Sequence, residues 1–299
     1  MTRMTMEVAS GKKILFIINP IAGKGRGGRC VKQIGENLDK ARFIPEFVFT
    51  QYGGHATELA REAASRGVDI VVAVGGDGTV NETACGLVGT QTSLGIIPCG
   101  SGDGLALHLG IPRTVAGAVE VINAGKAVLA DSGIVEGHRF FCTAGVGLDA
   151  KVAYDYLKAG SRGLKTYISK VLENWRSFQP SHYIIGTENS SFEVEAMLVT
   201  VGNANQWGNH VHITPTASLT DGILDITIVK PISLLQVPHL LVRLLRYNAY
   251  DSEHTVHLRG KQITIQRDGG LEAHYDGEAL VLPETIHIEC CPGSLYIWR

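Results

Sequence analysis

The apolar positions of this chain change their period near residue 130. Before that point, short β-branched runs alternate with segments whose apolar residues recur at helical spacing. Lys13 to Asn19, Phe43 to Thr50, Val68 to Val74 and Leu94 to Pro98 read as strands, and Arg29 to Lys40, His55 to Arg66, Asn81 to Val88 and Thr114 to Ala124 as helices. Such alternation predicts a parallel sheet covered by helices, with ligands beyond the carboxyl ends of its strands. After Asp131 the period falls to two. Ile134-Val135, Phe140 to Ala144, Tyr183 to Gly186, Glu193 to Val201, Ile223 to Val229, Thr255 to Leu258, Gln262 to Gln266 and Glu284 to Glu289 read as antiparallel strands. Helices over Lys165 to Phe178 and Ile232 to Tyr247 interrupt them. The expectation is an α/β domain followed by a mostly antiparallel β domain, with a soft boundary at 128–132.

Each early strand ends in a polar or glycine-rich loop: Asn19-Pro20, Thr50, Gly75-Gly76, and Pro98 to Gly104. Four such loops on one sheet edge can converge on one site. In Gly75-Gly76-Asp77-Gly78-Thr79, unshielded backbone leads into a helix start, with Thr79 as candidate N-cap. Free amides and a helix dipole pointing at one spot make an anion site. A carboxylate among phosphate-binding amides repels the phosphate unless a metal or a hydroxyl donor lies between, so Asp77 points to a nucleoside triphosphate with Mg²⁺. Asn19 to Arg29 carries four glycines with Lys24, Arg26 and Arg29, but no Ser or Thr follows a Gly-Lys pair, so it is not a Walker A loop. It suits either a phosphate cradle or a flexible surface loop. Pro98 to Ala106 is a further glycine turn into a helix, which a plain β-to-α connection also explains.

Two acidic turns lie in the second half. Asp221-Gly222 precedes a strand and fits either a hairpin turn or a hard-cation site. Leu271 to Glu278 places Asp276 and Glu278 two residues apart beside a glycine. On an extended segment both carboxylates would face one way, and a surface turn is the other reading. Asp276 is the attractive general base for phosphoryl transfer.

Composition narrows the field. A net charge of -2 over 299 residues argues against a broad nucleic-acid face. The six cysteines lack metal spacing and read as free thiols of a reducing compartment. Met1 to Lys13 has no apolar signal core, and Pro231 to Val242 falls short of the roughly 20 residues that span a bilayer.

The ordered series Asn19-Pro20, Gly54-His55-Ala56, Gly75 to Thr79, Gly100 to Ala106, Asp221 to Asp225 and Asp276-Gly277-Glu278 resembles the diacylglycerol kinase catalytic-domain family. That family includes soluble bacterial lipid kinases and the sphingosine and ceramide kinases. The resemblance runs from about Lys13 to the C-terminus. It implies a nucleotide-binding α/β domain over 1–130 and a β-sandwich-like lipid-substrate and metal domain over 131–299, with ATP in the cleft between them. A last strand, about 287–299, would return to the first domain. The resemblance implies nucleotide contacts at Asn19, Gly23, Thr50, Gly75, Gly76, Asp77, Gly78, Thr79 and Ser101, and magnesium at Ser218, Asp221 and Ile223. Asp276 and Glu278 would be the catalytic pair, with proton abstraction given to Asp276.

The reaction so implied moves the γ-phosphoryl group of ATP to a lipid hydroxyl, most naturally that of diacylglycerol. Rival readings are a sphingoid-base or ceramide kinase, an NAD kinase, and a silent nucleotide-binding module. The resemblance also implies a cytoplasmic protein, alone or as a homodimer, that visits a membrane surface without spanning it. One block departs from the family. Bacterial members carry Gly-Thr-x-Asn-Asp where this chain has Gly100-Ser101-Gly102-Asp103-Gly104, so a carboxylate is lost at Gly104 unless Asp103 supplies it. In the helix Ile232 to Tyr247, Leu234, Leu235, Leu241, Leu244 and Leu245 with Arg243 and Arg246 suit either packing on the domain or an interfacial lipid contact.

Overall fold

The computed structural model describes residues 11–158, 164–247, 252–267 and 271–299. The first half is the expected alternation: β1 (Lys12–Ile18), α1 (Ala22–Asn37), β2 (Phe43–Phe49), α2 (His55–Ser65), β3 (Ile70–Gly75), α3 (Asp77–Leu87), β4 (Ser93–Pro98), α4 (Gly104–His108) and α5 (Val115–Ala124). The strands pair in parallel in the order β2-β1-β3-β4. Every residue of β3 and β4 is buried, because helices cover both faces, and this is why those strands are continuous apolar runs.

The second half contains β5 (Ala127–Val135), β6 (His138–Phe140), β7 (Thr143–Gly147), α6 (Leu148–Lys158), α7 (Leu164–Ser177), β8 (Ser181–Thr187), β9 (Ser191–Ala196), β10 (Leu198–Gly202), β11 (Leu224–Val229), α8 (Val237–Leu245), β12 (Thr255–Gly260), β13 (Gln262–Gln266), β14 (Leu271–Tyr275), β15 (Glu278–Leu282) and β16 (Thr285–Trp298). Among the described residues, one sheet is six-stranded and wholly antiparallel, in the order β12-β11-β10-β7-β14-β15. The other is mixed and ten-stranded. Its link is β16, which pairs antiparallel with β13 and β5 and then in parallel with β4 at Ile297. Residue 130 therefore falls inside β5, a strand of the shared sheet, rather than in a linker.

Side chains between the two sheets, among them Tyr183, Ile185, Val199, Ile226 and Ile263, form the sandwich core. A separate cluster joins α6, α7 and α8 through Val152, Trp175, Leu240 and Leu244.

Several elements differ from the sequence expectation. Helix α1 begins at Ala22 rather than Arg29, so the glycine-rich segment expected as a loop is its first turns. Helix α3 begins at Asp77 with Gly76 as N-cap, so Thr79 lies inside the first turn and is not the cap. The strand expected over Glu193 to Val201 is two strands, split at Met197 where the chain passes from one sheet to the other. The run Phe140 to Ala144 likewise breaks between β6 and β7. Helix α6 was not expected at all. Helix α8 is shorter than the span Ile232 to Tyr247.

Candidate active site

A cleft of about 940 Å³ separates the two halves. One wall is made by the N-terminal turns of α1 and α3 and by the segment from Gly100 to Ala106. The other is made by Phe141 to Thr143, the β14–β15 hairpin, α6 and residues 207–209. Asn19, Gly23, Gly76, Asp77, Gly78, Thr79, Ser101, Asp276 and Glu278 all line it.

The nucleotide wall depends on two glycine turns packed backbone to backbone. A Cβ at Gly100 would stand 2.6 Å from the Gly76 Cα, and one at Gly75 would stand 2.5 Å from the Thr79 side chain. No side chain caps α3. Its first-turn amides are therefore left for a ligand, and the helix dipole favours an anion there. Asn19 braces this turn, donating from Nδ2 to Thr79 Oγ1 at 3.2 Å while its Oδ1 accepts the Ile21 amide at 3.1 Å.

Asp77 resolves its conflict with phosphate in a way the sequence did not reveal. Its Oδ1 accepts the Gly104 amide at 2.7 Å and its Oδ2 the Asp103 amide at 2.9 Å. Burial pushes this carboxyl up, and those amides pull it back. Asp77 thus ties one glycine turn to the other. Asp103 does not replace the carboxylate lost at Gly104. Held at φ 54°, it accepts the Gly100 amide at 2.8 Å and pairs with Arg113 Nε at 3.2 Å. Arg113 also donates to the carbonyls of Ser101 and Gly102, each at 2.9 Å, and so fixes the whole turn. Ser101 Oγ lies 3.1 Å from the Tyr156 hydroxyl of α6, linking the two walls.

Across the cleft, Asp276 and Gly277 are the two residues of a tight hairpin between β14 and β15, both at positive φ. Asp276 therefore sits in the turn and Glu278 on the strand after it, not both along one extended face. The Asp276 carboxylate is fully engaged. Oδ1 accepts the Cys142 and Thr143 amides at 2.8 and 3.1 Å, and Oδ2 accepts the Phe141 amide at 2.9 Å and Asn81 Nδ2 at 2.8 Å. The break between β6 and β7 frees those three amides. Burial raises this carboxyl and its donors oppose the rise. Nearby, burial and the Asp276 charge push the Cys85 thiol up to about 11, an unreactive setting. Glu278 differs: it is exposed, its carboxylate makes no hydrogen bond or ion pair among the described residues, and its Oε1 lies 3.7 Å from where a Cβ on Gly78 would stand. It is the open carboxylate that faces the α3 N-terminus.

Other expected residues lie elsewhere. Thr50 follows edge strand β2, bonds through its amide to Ile18 O at 2.9 Å and does not line the cleft. Gly75 stands just behind the lining. The side chains of Lys24 and Arg26 lie outside the described residues. Ser218, Asp221 and Ile223 are also outside the cleft. Asp221 Oδ2 pairs with Arg259, and its Oδ1 accepts the Ile223 amide at 3.3 Å. Arg259 also reaches Asp225 at 3.2 Å, and Ser218 Oγ lies near Thr220. A divalent cation needs several oxygens, and the carboxylate here already has a cationic partner. In this structure Arg259 holds the Asp221 carboxylate, and magnesium at Ser218, Asp221 and Ile223 stays an expectation. No cluster of three or more acidic, His or Cys side chains suited to a metal occurs among the described residues. Asn81, Arg113, Tyr156 and the pair Asp149–His274 were missed; only Asn81, one helical turn after Asp77, carried a signal of its place.

A β-sandwich closing over a glycine-lined, helix-capped cleft defines a phosphotransferase of alcohols. Residues 13–135 match the family model "Diacylglycerol kinase catalytic domain" and residues 142–299 match "YegS C-terminal NAD kinase beta sandwich-like domain". The diacylglycerol kinase of Bacillus subtilis (strain 168) is 30% identical over 273 residues, 89% of this chain and 90% of that one. That of Staphylococcus haemolyticus (strain JCSC1435) is 30% identical over 297 residues, 94% and 88% of the two chains. The crystal structure of a diacylglycerol kinase from Bacillus anthracis str. Sterne superposes with a TM-score of 0.74 at 26% identity, covering 96% of this chain and 97% of that one. The chain belongs to the diacylglycerol kinase family, and it is an ATP-dependent kinase acting on a lipid alcohol. No described helix is long and apolar enough to cross a membrane.

Proposed function

We propose that the enzyme transfers the γ-phosphoryl group of ATP to the hydroxyl of diacylglycerol, giving a phosphatidic-acid-type product. The observation that carries this reading is Glu278, an open carboxylate opposite the uncapped α3 N-terminus. In-line transfer needs phosphates held on one side and a proton acceptor for the hydroxyl on the other. The amides of the Gly76 to Thr79 turn suit the phosphates. Glu278 suits the proton better than Asp276, because four donors already occupy the Asp276 oxygens. Asp276 then acts as the residue that shapes the hairpin carrying Glu278. Magnesium belongs here as the counter-ion that arrives on the nucleotide phosphates.

Contact with a membrane surface fits α8 and the turn before it. Leu235 is 91% exposed, and Leu234, Val242, Leu245 and Arg246 are exposed beside it. Such a face suits the interface of an anionic bilayer. Leu235→Glu should weaken sedimentation with phosphatidylglycerol vesicles while leaving ATP affinity unchanged.

The substrate test is transfer of labelled γ-phosphate to a panel of diacylglycerol, a sphingoid base, ceramide and NAD. Diacylglycerol should be the preferred acceptor. Transfer confined to a sphingoid base or ceramide would replace the substrate named here, and transfer to NAD alone would overturn the lipid reading.

A further inference from the structure

The carbonyl of Gly102 is shared by both walls of the cleft. It accepts the Asn209 amide of the substrate wall at 3.1 Å and Arg113 Nη2, from the segment between α4 and α5, at 2.9 Å. Arg113 Nη2 also lies 3.4 Å from Asn209 Oδ1, so one guanidinium touches both sides of the seam. The fit is backbone to backbone. A Cβ on Gly208 would stand 2.8 Å from Gly102 O and 2.9 Å from its carbonyl carbon. Gly104 keeps the seat clear, because a Cβ there would come within 3.3 Å of Cys142 Sγ and 3.5 Å of Gln206 O and the Gly208 nitrogen. A larger side chain at that position would grow into the contact, so the residue that departs from the family pattern lets the walls touch. The segment 205–209 is bound at its other end too, where the Asn205 amide donates to His108 Nδ1 of α4 at 3.1 Å. Gly208, Asn209 and His210 are consecutive residues at positive φ, of 106°, 52° and 62°. Such a run persists only where its surroundings hold it, and here the seat on Gly102 does so.

We propose that Arg113 is a positioning residue for phosphoryl transfer: with Gly208 and Asn209 it clasps the nucleotide turn to the substrate wall and so sets the bound phosphates before the hairpin of Asp276 and Glu278. In-line transfer is sensitive to placement, and a shift of about 1 Å can cost about 10²-fold in rate. The phosphates rest on one half of the molecule and the acceptor hydroxyl on the other, so the contact between the halves must fix that gap. Arg113 suits the role because its planar fork meets several acceptors at once. Its Nε pairs with Asp103 Oδ2 at 3.2 Å while Nη2 reaches the carbonyls of Ser101 and Gly102. A lysine ammonium keeps the ion pair with Asp103 but cannot also span to both carbonyls. The proposal rests on the reading above in placing the acceptor hydroxyl at that hairpin, whichever lipid alcohol carries it.

Steady-state kinetics on the full chain, with ATP and the lipid alcohol that the acceptor panel selects, test it through Arg113→Lys, Gly208→Ala and the double variant. Arg113→Lys keeps a charge beside Asp103 and removes the fork, whereas Gly208→Ala forces a methyl against the Gly102 backbone. Arg113→Lys should lower kcat by about tenfold and Gly208→Ala by about 10²-fold. ATP affinity by calorimetry should stay near the wild-type value, because the Asp77 clamp and the α3 amides are untouched, and it also reports that the variants fold. Two residues that serve one clasp do not multiply their effects. The double variant should therefore match Gly208→Ala alone, whereas independent effects would reach about 10³-fold. Multiplied losses overturn the proposal. So does a wild-type kcat in Arg113→Lys, a result that stands even where Gly208→Ala fails to fold, and so does a loss confined to ATP affinity. The acceptor panel decides the substrate reading, and this cycle decides the clasp with any acceptor, so either can fail while the other holds.

Discussion

The Gly104 amide donates to Asp77 Oδ1 at 2.7 Å, and this bond crosses from the turn after β4 to the turn after β3. With the Asp103 amide on Oδ2, it makes Asp77 a clamp between two phosphate-side turns. Gly104 serves here through its backbone, so the block that departs from the family pattern keeps a defined place without its carboxylate.

Asp77→Asn should weaken that clamp. A carboxamide accepts on one side and presents N–H groups on the other, so one buried amide loses its acceptor, at about 1–3 kcal/mol. The urea midpoint should fall, and ATP affinity measured by calorimetry should drop by about tenfold. Unchanged values for both would mean that the turns hold each other without Asp77.

Glu278 and Asp276 should separate by phenotype. Glu278→Gln should lower kcat by about 10²- to 10⁴-fold, the usual worth of a general base, with no loss of melting temperature. Asp276→Asn should lose stability, because Asn81 and the amides of Phe141, Cys142 and Thr143 would face a carboxamide. Normal kcat in Glu278→Gln with a dead but stable Asp276→Asn would return the base to Asp276.

The contrast between these two acids shows what the chain discloses by itself. Ile70 to Gly75 announces a buried central strand because both of its faces are apolar, and the glycine turns announce close backbone approach. The acidic pair is equally visible as a motif. Its division of labour is hidden, because it depends on three amides released by a break between strands far earlier in the chain. Helix α6 escaped notice because its first turn follows a buried strand without a capping signal, and with it the pairing of Asp149 and His274 was lost. Arg259 is likewise silent in the sequence. Only strand pairing of β11 with β12 brings it beside Asp221 and Asp225.

Arg259 should make the Asp221 turn indifferent to divalent cations. Nucleotide-free protein should melt at the same temperature in Mg²⁺ and in EDTA, because a ligand stabilises only a fold that binds it. Arg259→Met removes the resident cation and leaves Asp221 and Asp225 close together, so its melting temperature should fall and then recover partly in Mg²⁺. A magnesium-dependent rise in nucleotide-free wild type that disappears in Asp221→Asn would restore the metal site.

Acid should destabilise the fold through His212. Burial, followed by the charges of His210 and His108, lowers its pKa from 6.5 to about 4. The ring centroid lies 3.6 Å from that of Tyr247 with the planes tilted by 30°, and its Nδ1 is buried without a donor among the described residues. The folded state therefore holds the neutral imidazole, while the unfolded chain takes up a proton near 6.5. A depressed pKa contributes stability that is complete above the unfolded value and is lost as pH falls from 6.5 toward about 4. Burial lowers His108 as well, which adds to the slope in the same direction. Melting temperature followed from neutral to mildly acid pH should fall in the wild type and fall less steeply in His212→Phe, whose ring keeps the contact with Tyr247. Parallel slopes in the two proteins would show that the acid sensitivity arises elsewhere.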